Sequence, residues 1–397
     1  MQGRRREEVV RRPLAIFTPQ IGTFSETFVR RHAQDLLPGG TVVVTNNMEK
    51  PFAGNWTVDC PLLVLREIPR YGPGRQLLLN AARKLGFRID SERPAHVRRF
   101  LRRNGVRVIL GEYLDHSVAW LPLARELGIP FFGHAHGYDV SHSLRDPKWR
   151  TAYLQYNEAA GVITVSRASR QRLIELGLDP AKIHVVPCSV DVPDEPIERP
   201  GRKPLALVSV GRMVPKKAPI LLLDAFRRAL QDFPAMRLHC VGDGPLLPAA
   251  RQFVRALGLD DKVVLHGAVP SDSVGRFLRE SDMFLMHSVT DPDSGDEEGL
   301  PVSILEAMAH ALPVVSTLHA GIPESVVDGE TGFLVDEGDS VLMAERIVSL
   351  AEDPGLRSRM GLAGWRRARE LFCWDREKKA LLEIMGLQEA DPGQGRG

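Results

Sequence analysis

Two cations and two acids stand out by their placing. In VSVGRMVPKKAP, Gly211, Arg212 and Lys217 occupy the connection between a strand-like run ending at Val210 and a helical run. The N–H groups and positive dipole of a helix start attract anions, and a guanidinium and an ammonium beside them add charge-assisted hydrogen bonds. That set suits a diphosphate. In GDEEGLPVSILEAMAHALPVV, Glu298 stands before the turn Gly299-Leu300-Pro301, and Glu306 stands after it. Proline fits the first turn of a helix, which puts Glu306 about two turns inside it, leaning back toward the start. Both carboxylates then face one bound molecule. Ionised carboxylates accept from paired hydroxyls, the donors that a ribose or another sugar presents. The neighbours of Glu306 are nearly all apolar, so the helix is largely buried and an acid within it needs a partner. The plain alternatives are an exposed basic loop and an exposed helical acid.

The elements that must position these residues follow an α/β alternation. From Pro13, the strand-like runs LAIFTP, TVVVTN, VRVILGE, IPFFGHAHG, GVITVS and IHVVP are separated by helical segments such as SETFVRRHAQDLL, AWLPLARELG and SRQRLIELG. The last two end in glycine, as helix C-caps do. VDVPDEPIERPGRKP, with four prolines, breaks the pattern and marks an interdomain linker near residues 192–204. LALVSVGR, MRLHCVGDG, KVVLHGAV, DMFLMHS and LPVVST then resume it. The expected architecture is two Rossmann-like parallel-sheet domains, with a ligand held between the carboxyl ends of their strands.

A chain of 397 residues agrees with two hydrophobic cores. Nowhere do about 18 apolar residues run together, and the start MQGRRREEVVRR lacks the apolar region of a secretion signal. Four scattered cysteines imply neither a disulfide framework nor a zinc site, and a reducing cytoplasm fits. The net charge of +2 hides an asymmetry. Residues 1–195 hold 28 basic and 20 acidic side chains, +8, which leaves 24 against 30, or −6, for the remainder. A basic front half suits an anionic partner or membrane surface, although a solvated charged face gives the same count. RPAHVRRFLRRNGVR places Arg98, Arg99, Arg102 and Arg103 on one broad helical face with Val97, Phe100 and Leu101 between them, a face suited to anionic phospholipid.

Other motifs point elsewhere less well. DPDSGD, Asp291 to Asp296, imitates a metal-binding D-x-D but lacks the spaced glycine and terminal glutamate of a calcium loop. VGDGPL holds G-x-G without the rest of a dinucleotide fingerprint. Trp365, Phe372 and Trp374 read as packing residues.

G-R-x-x-x-x-K, followed by E-x7-E in EEGLPVSILEAMAHALPVVST and then AGIPESVVDGETGFLV, resembles the retaining glycosyltransferases of family 4. The likeness is strong over about residues 205–337 and weaker upstream, at HAHGYD, VITVSRASRQRL and VVPCSVD. The spelling is similar to members that build exopolysaccharides such as colanic acid. The resemblance implies a GT-B fold. It puts residues 1–195 in an acceptor-side domain completed by a helix at 375–397, and 196–374 in a nucleotide-sugar domain. By matched position, Arg212 and Lys217 hold the donor diphosphate, Glu306 the ribose and Glu298 the transferred sugar. Gly211, Gly299, Leu300 and Pro301 line the phosphate and sugar, His136 contacts the sugar, and Gly22 approaches the phosphate and acceptor. His134 competes for the role of His136, which H-G-x-D favours. Two departures are Ala218, where the family often has glycine and where alanine resists positive φ, and PCSVD in place of P-N-G-V-D.

The resemblance implies transfer of a sugar from a nucleoside-diphosphate donor, UDP or GDP, to an acceptor hydroxyl with retention of configuration, in polysaccharide or glycoconjugate biosynthesis. It implies neither metal nor cofactor, and no nucleic acid. The acceptor is either a lipid-linked glycan, with peripheral contact at the inner membrane face, or a soluble small molecule. The alternatives are a nucleotide-sugar epimerase and a non-catalytic sugar-nucleotide sensor.

Overall fold

Short β-branched runs become two parallel sheets in the computed structural model, which describes residues 12–23, 26–48, 59–68, 93–199 and 204–388. The first seven strands are β1 Leu14–Ile21, β2 Thr41–Met48, β3 Leu62–Val64, β4 Val108–Glu112, β5 Phe131–Ala135, β6 Gly161–Thr164 and β7 Ile183–Val185, in the order β3-β2-β1-β4-β5-β6-β7. The second sheet contains β8 Leu205–Val210, β9 Met236–Val241, β10 Val263–Gly267, β11 Met283–Leu285, β12 Val314–Thr317 and β13 Gly332–Val335, in the order β10-β9-β8-β11-β12-β13. Both orders reverse direction beside their first strand, as doubly wound sheets do. The central strands read as continuous apolar runs because helices cover both faces of such sheets. Leu14, Ile16, Leu207 and Phe284 are fully buried.

By contacts the chain divides into two units, Met1–His134 with Ala152–Ile163 and Leu382–Gly397, and Ala135–Thr151 with Thr164–Leu381. The helices Leu121–Leu127 and Arg167–Leu176 end on Gly128 and Gly177, both left-handed, as their sequences require. Part of the linker segment, residues 200–203, lies outside the described residues, as do 1–11 and 389–397. Strand β3 was not evident from its sequence. PCSVD is bound down in the second unit: Val190 bridges to Cys373, and the Ser189 N–H donates to the Glu377 carboxylate at 2.9 Å.

The arginine helix Arg93–Asn104 corrects one expectation. Val97 and Leu101 are fully buried and cannot meet a membrane, and Arg98 pairs with Glu126 at 2.7 Å. The surface left by this helix is the three exposed cations Arg99, Arg102 and Arg103. Among the described residues, no helix is long and apolar enough to cross a membrane.

Candidate functional site

The loop after β8 carries the cations. Gly211 continues the strand, its N–H donating to the Val241 carbonyl at 3.0 Å, and a single 3-10 turn over Pro215–Lys217 leads into the helix Pro219–Asp232. Gly211, Arg212, Met213, Lys217 and Met286 line one pocket. Between turn and helix stands Ala218 at φ +36°, ψ +53°. The sequence argued against a positive φ here, and the structure overturns that. Alanine in the left-handed region costs about 1–2 kcal/mol, and Ala218 is held there by its burial and by hydrogen bonds from its N–H to Pro215 and to its carbonyl from Leu222.

The acids come from the segment after β11. Pro301 caps the helix Val302–Ala309 from just outside, so Glu306 lies little more than one turn in, nearer the helix start than its sequence suggested. Glu306 is half-buried, whereas Glu298 is 9% exposed. Lys217 Nζ lies 3.1 Å from Glu298 Oε2 and 3.4 Å from Met286 Sδ. Lys216, buried, reaches Asp296 Oδ1 and the Glu297 carbonyl at 3.0 Å each, and stands 4.0 Å from Glu298 Oε1. Burial pushes the Lys217 ammonium below the usual lysine range, and Glu298 opposes that shift. Burial pushes Glu298 upward, but Lys217 and Lys216 outweigh it and hold the carboxyl below its ordinary value. Each group thus favours the charged form of the other. Glu298 Oε1 remains buried with no hydrogen-bond partner among the described residues.

Gly299 is required by close approach. A Cβ there would stand 2.2 Å from the His136 carbonyl oxygen, and one on Gly321 would stand 1.9 Å from the Gly299 carbonyl oxygen. The HGYD turn thus packs its backbone directly on the Glu298 loop. It is closed by the His136 N–H donating to Asp139 Oδ1 at 2.9 Å. His136 and Leu300 are nearly buried. Gly22, in the first unit, follows β1 with φ +97°.

His134 does something else. The register of β4 and β5 sets Glu112 opposite His134. Glu112 Oε1 lies 2.7 Å from His32 Nδ1, and Oε2 lies 3.1 Å from His134 Nδ1, all three side chains being buried. This trio is the group of histidine and acidic side chains near enough to share a cation among the described residues. Its carboxylate already has an imidazole nitrogen within ion-pairing distance of each oxygen. Sequence reasoning missed it. Asp291 and Asp293 form no such group: Asp291 accepts from the Ser294 hydroxyl, and the Asp293 carbonyl accepts from Arg145 at 2.9 Å.

The family described as Glycosyltransferase Family 4 matches residues 41–193, and that described as Glycosyl transferases group 1 matches 204–353. A GDP-mannose-dependent alpha-(1-6)-phosphatidylinositol monomannoside mannosyltransferase of Mycolicibacterium smegmatis is 31% identical over 282 residues, 68% of this chain and 74% of its own length. The chain belongs to glycosyltransferase family 4.

Other relatives of this family 4 chain are aligned over a smaller part. WcaL of Escherichia coli, named for colanic acid biosynthesis, is 34% identical over 55% of this chain and 54% of its own length. The amylovoran biosynthesis glycosyltransferase AmsK of Erwinia amylovora is 32% identical over 55% and 54%. The chain thus spans about half the length of these curated relatives. Among solved structures, Anabaena Alr3699/HepE with UDP-glucose superposes with a TM-score of 0.73 at 18% identity, covering 94% of this chain and 99% of that one. Sucrose-phosphate synthase of Thermosynechococcus elongatus gives 0.69 at 19%, covering 94% and 98%. At such identities the likeness shows the fold, which is GT-B.

Proposed function

We propose that this chain transfers a sugar from a nucleoside-diphosphate donor to an acceptor hydroxyl with retention of configuration, in polysaccharide or glycoconjugate biosynthesis. One observation carries the reading. Glu298 is fixed by Lys217 through one oxygen and keeps the other buried and unmatched beside it, which suits a sugar hydroxyl as donor. Arg212 and Lys217, sharing a pocket with Gly211, hold the diphosphate, and Glu306 holds the ribose. The backbone of Gly299, Leu300 and Pro301 and the side chain of His136 line the sugar. As the glycosidic bond breaks, the leaving diphosphate gains negative charge. Cations already aimed at it lower that barrier without reorganising. The acceptor oxygen bonds to the anomeric carbon on the face the diphosphate leaves, and an oxygen of the leaving phosphate takes its proton, so the protein needs neither a nucleophile nor a separate base.

The nucleotide is UDP or GDP in this reading. Alr3699/HepE was solved with UDP-glucose, and the mycobacterial relative is named for GDP-mannose. That relative is also named for a lipid acceptor, which favours a lipid-linked acceptor here, met at the cytoplasmic membrane face through the exposed arginines.

The test is a panel of UDP- and GDP-sugars with candidate acceptors, following nucleoside diphosphate release and the anomeric proton of the product by NMR. A retained-configuration product formed at full rate in EDTA is expected. Interconversion of the donor sugar, or binding without turnover, would replace this reading. Activity lost in EDTA and restored by magnesium or manganese would bring a metal at Asp291 and Asp293 back into the mechanism.

A further inference from the structure

The segment from Ser288 to Glu298 contains no strand or helix, yet it must hold a carboxylate between two ammonium groups. Lys216 restrains it on one side, through Asp296 and the Glu297 carbonyl. The other restraint is made by two residues that the reaction itself does not require. His319, 1% exposed, receives a hydrogen bond on Nε2 from the backbone N–H of Glu298 at 3.2 Å. An imidazole nitrogen that accepts carries no proton, so the ring hydrogen stands on Nδ1. Nδ1 lies 2.6 Å from Glu337 Oε1 and donates to it. The second oxygen of Glu337 accepts from the Thr290 N–H at 2.8 Å. One carboxylate and one imidazole thus tie the start of the loop to its end. The turn that carries His319 is packed in the same sense, since Gly321 abuts the Gly299 carbonyl and Ala320 holds φ +44°.

We propose that His319, as the Nδ1–H tautomer, and Glu337 are positioning residues for Glu298. They fix the peptide from which the carboxylate is aimed, so that Oε2 meets Lys217 and Oε1 stays open to a sugar hydroxyl. The proposal rests on the reading of Glu298 given above. Removing the Nε2 acceptor leaves a buried N–H without a partner. The Glu298 peptide then turns to find one, and the carboxylate moves with it. A displacement of about 1 Å in a positioned group is enough to cost on the order of a hundredfold in rate. The nucleotide end of the donor meets Arg212, Lys217 and Glu306, which stand outside the segment 290–298 that His319 and Glu337 brace, so it is left in place.

The experiment compares His319→Leu, His319→Gln and Glu337→Gln in the full chain, with Glu298→Gln beside them. His319→Leu is expected to lower kcat about a hundredfold while binding of UDP or GDP, whichever supports turnover, stays within about twofold. In His319→Gln an amide oxygen can accept from the Glu298 N–H, and at least about tenfold of the loss is expected to return. Histidine labelled with 15N in the unmodified protein reads the tautomer directly, whether or not a variant folds, and Nδ1–H is expected. Three outcomes overturn the proposal: kcat of His319→Leu within about threefold of the parent, nucleotide affinity falling in parallel with kcat, or an Nε2–H tautomer. If Glu298→Gln itself is fully active, the reading of Glu298 has failed. If Glu298→Gln is impaired and His319→Leu is not, only the positioning role has failed.

Discussion

Each unit buries a carboxylate between two nitrogen-bearing side chains, and the two arrangements finish differently. In the first unit Glu112 meets His32 with one oxygen and His134 with the other, at 2.7 and 3.1 Å. In the second, Glu298 meets Lys217 at 3.1 Å, and its other oxygen is 4.0 Å from Lys216 with no hydrogen bond. A buried polar atom without a partner costs roughly 1–3 kcal/mol, a cost that a ligand hydroxyl donating to Glu298 Oε1 would relieve. The bridge that closes on itself is architecture, joining the helix Thr27–Gln34 to β4 and β5. The bridge left open is the one we propose as a binding group.

The largest effect expected from that contrast is on stability. Glu112→Ala leaves two buried imidazoles without their carboxylate and should lose about 3–5 kcal/mol in denaturant unfolding, whereas a small loss would mean that the trio is not a closed structural bridge. Next comes Lys217→Ala, expected to lower kcat/KM on the order of a hundredfold through lost stabilisation of the leaving diphosphate. Unchanged steady-state kinetics would move that role to Arg212 alone or to Lys216. Glu306→Ala should weaken donor binding by about 1–3 kcal/mol and leave acceptor KM alone, as titration calorimetry with the nucleotide would show. The smallest effect concerns the membrane. With Val97 and Leu101 buried, any attraction is electrostatic, about 1 kcal/mol for each of Arg99, Arg102 and Arg103 near an anionic surface. Binding to phosphatidylserine vesicles at low salt, released by high salt and lost when these three become Ser, is the expected pattern. Protein that stays in the supernatant at low salt would send the search for an acceptor to soluble compounds.

Lys217 and Glu298 stood out in sequence, though their pairing did not, whereas His32 and Glu112 did not stand out at all, for a physical reason. Lys217, Glu298 and Glu306 each sit beside a glycine or proline turn that ends a strand and starts a helix, and local chemistry of that kind leaves a mark on neighbouring residues. The same holds for the glycine C-caps at Gly128 and Gly177. His32 and Glu112 are 80 residues apart and meet only because the sheet pairs β4 with β5 and a helix packs beside them. Periodicity records which face a residue occupies, not what lies opposite. Ala218 shows the converse: a local rule against positive φ was overridden by the contacts around it. The loop brace of His319 and Glu337 belongs with the closed bridge, since its bonds reach 21 and 47 residues along the chain.

The central claim is that Glu298 Oε1 accepts a hydroxyl of the transferred sugar. It is tested most directly by calorimetric binding of the productive nucleotide-sugar and of its nucleoside diphosphate to the parent and to Glu298→Gln. The carboxamide keeps the shape and removes the charge and one acceptor. Affinity for the nucleotide-sugar should fall about tenfold or more, while affinity for the diphosphate changes by less than about twofold. Equal loss for both ligands would place Glu298 at the diphosphate, and no loss for either would contradict the account.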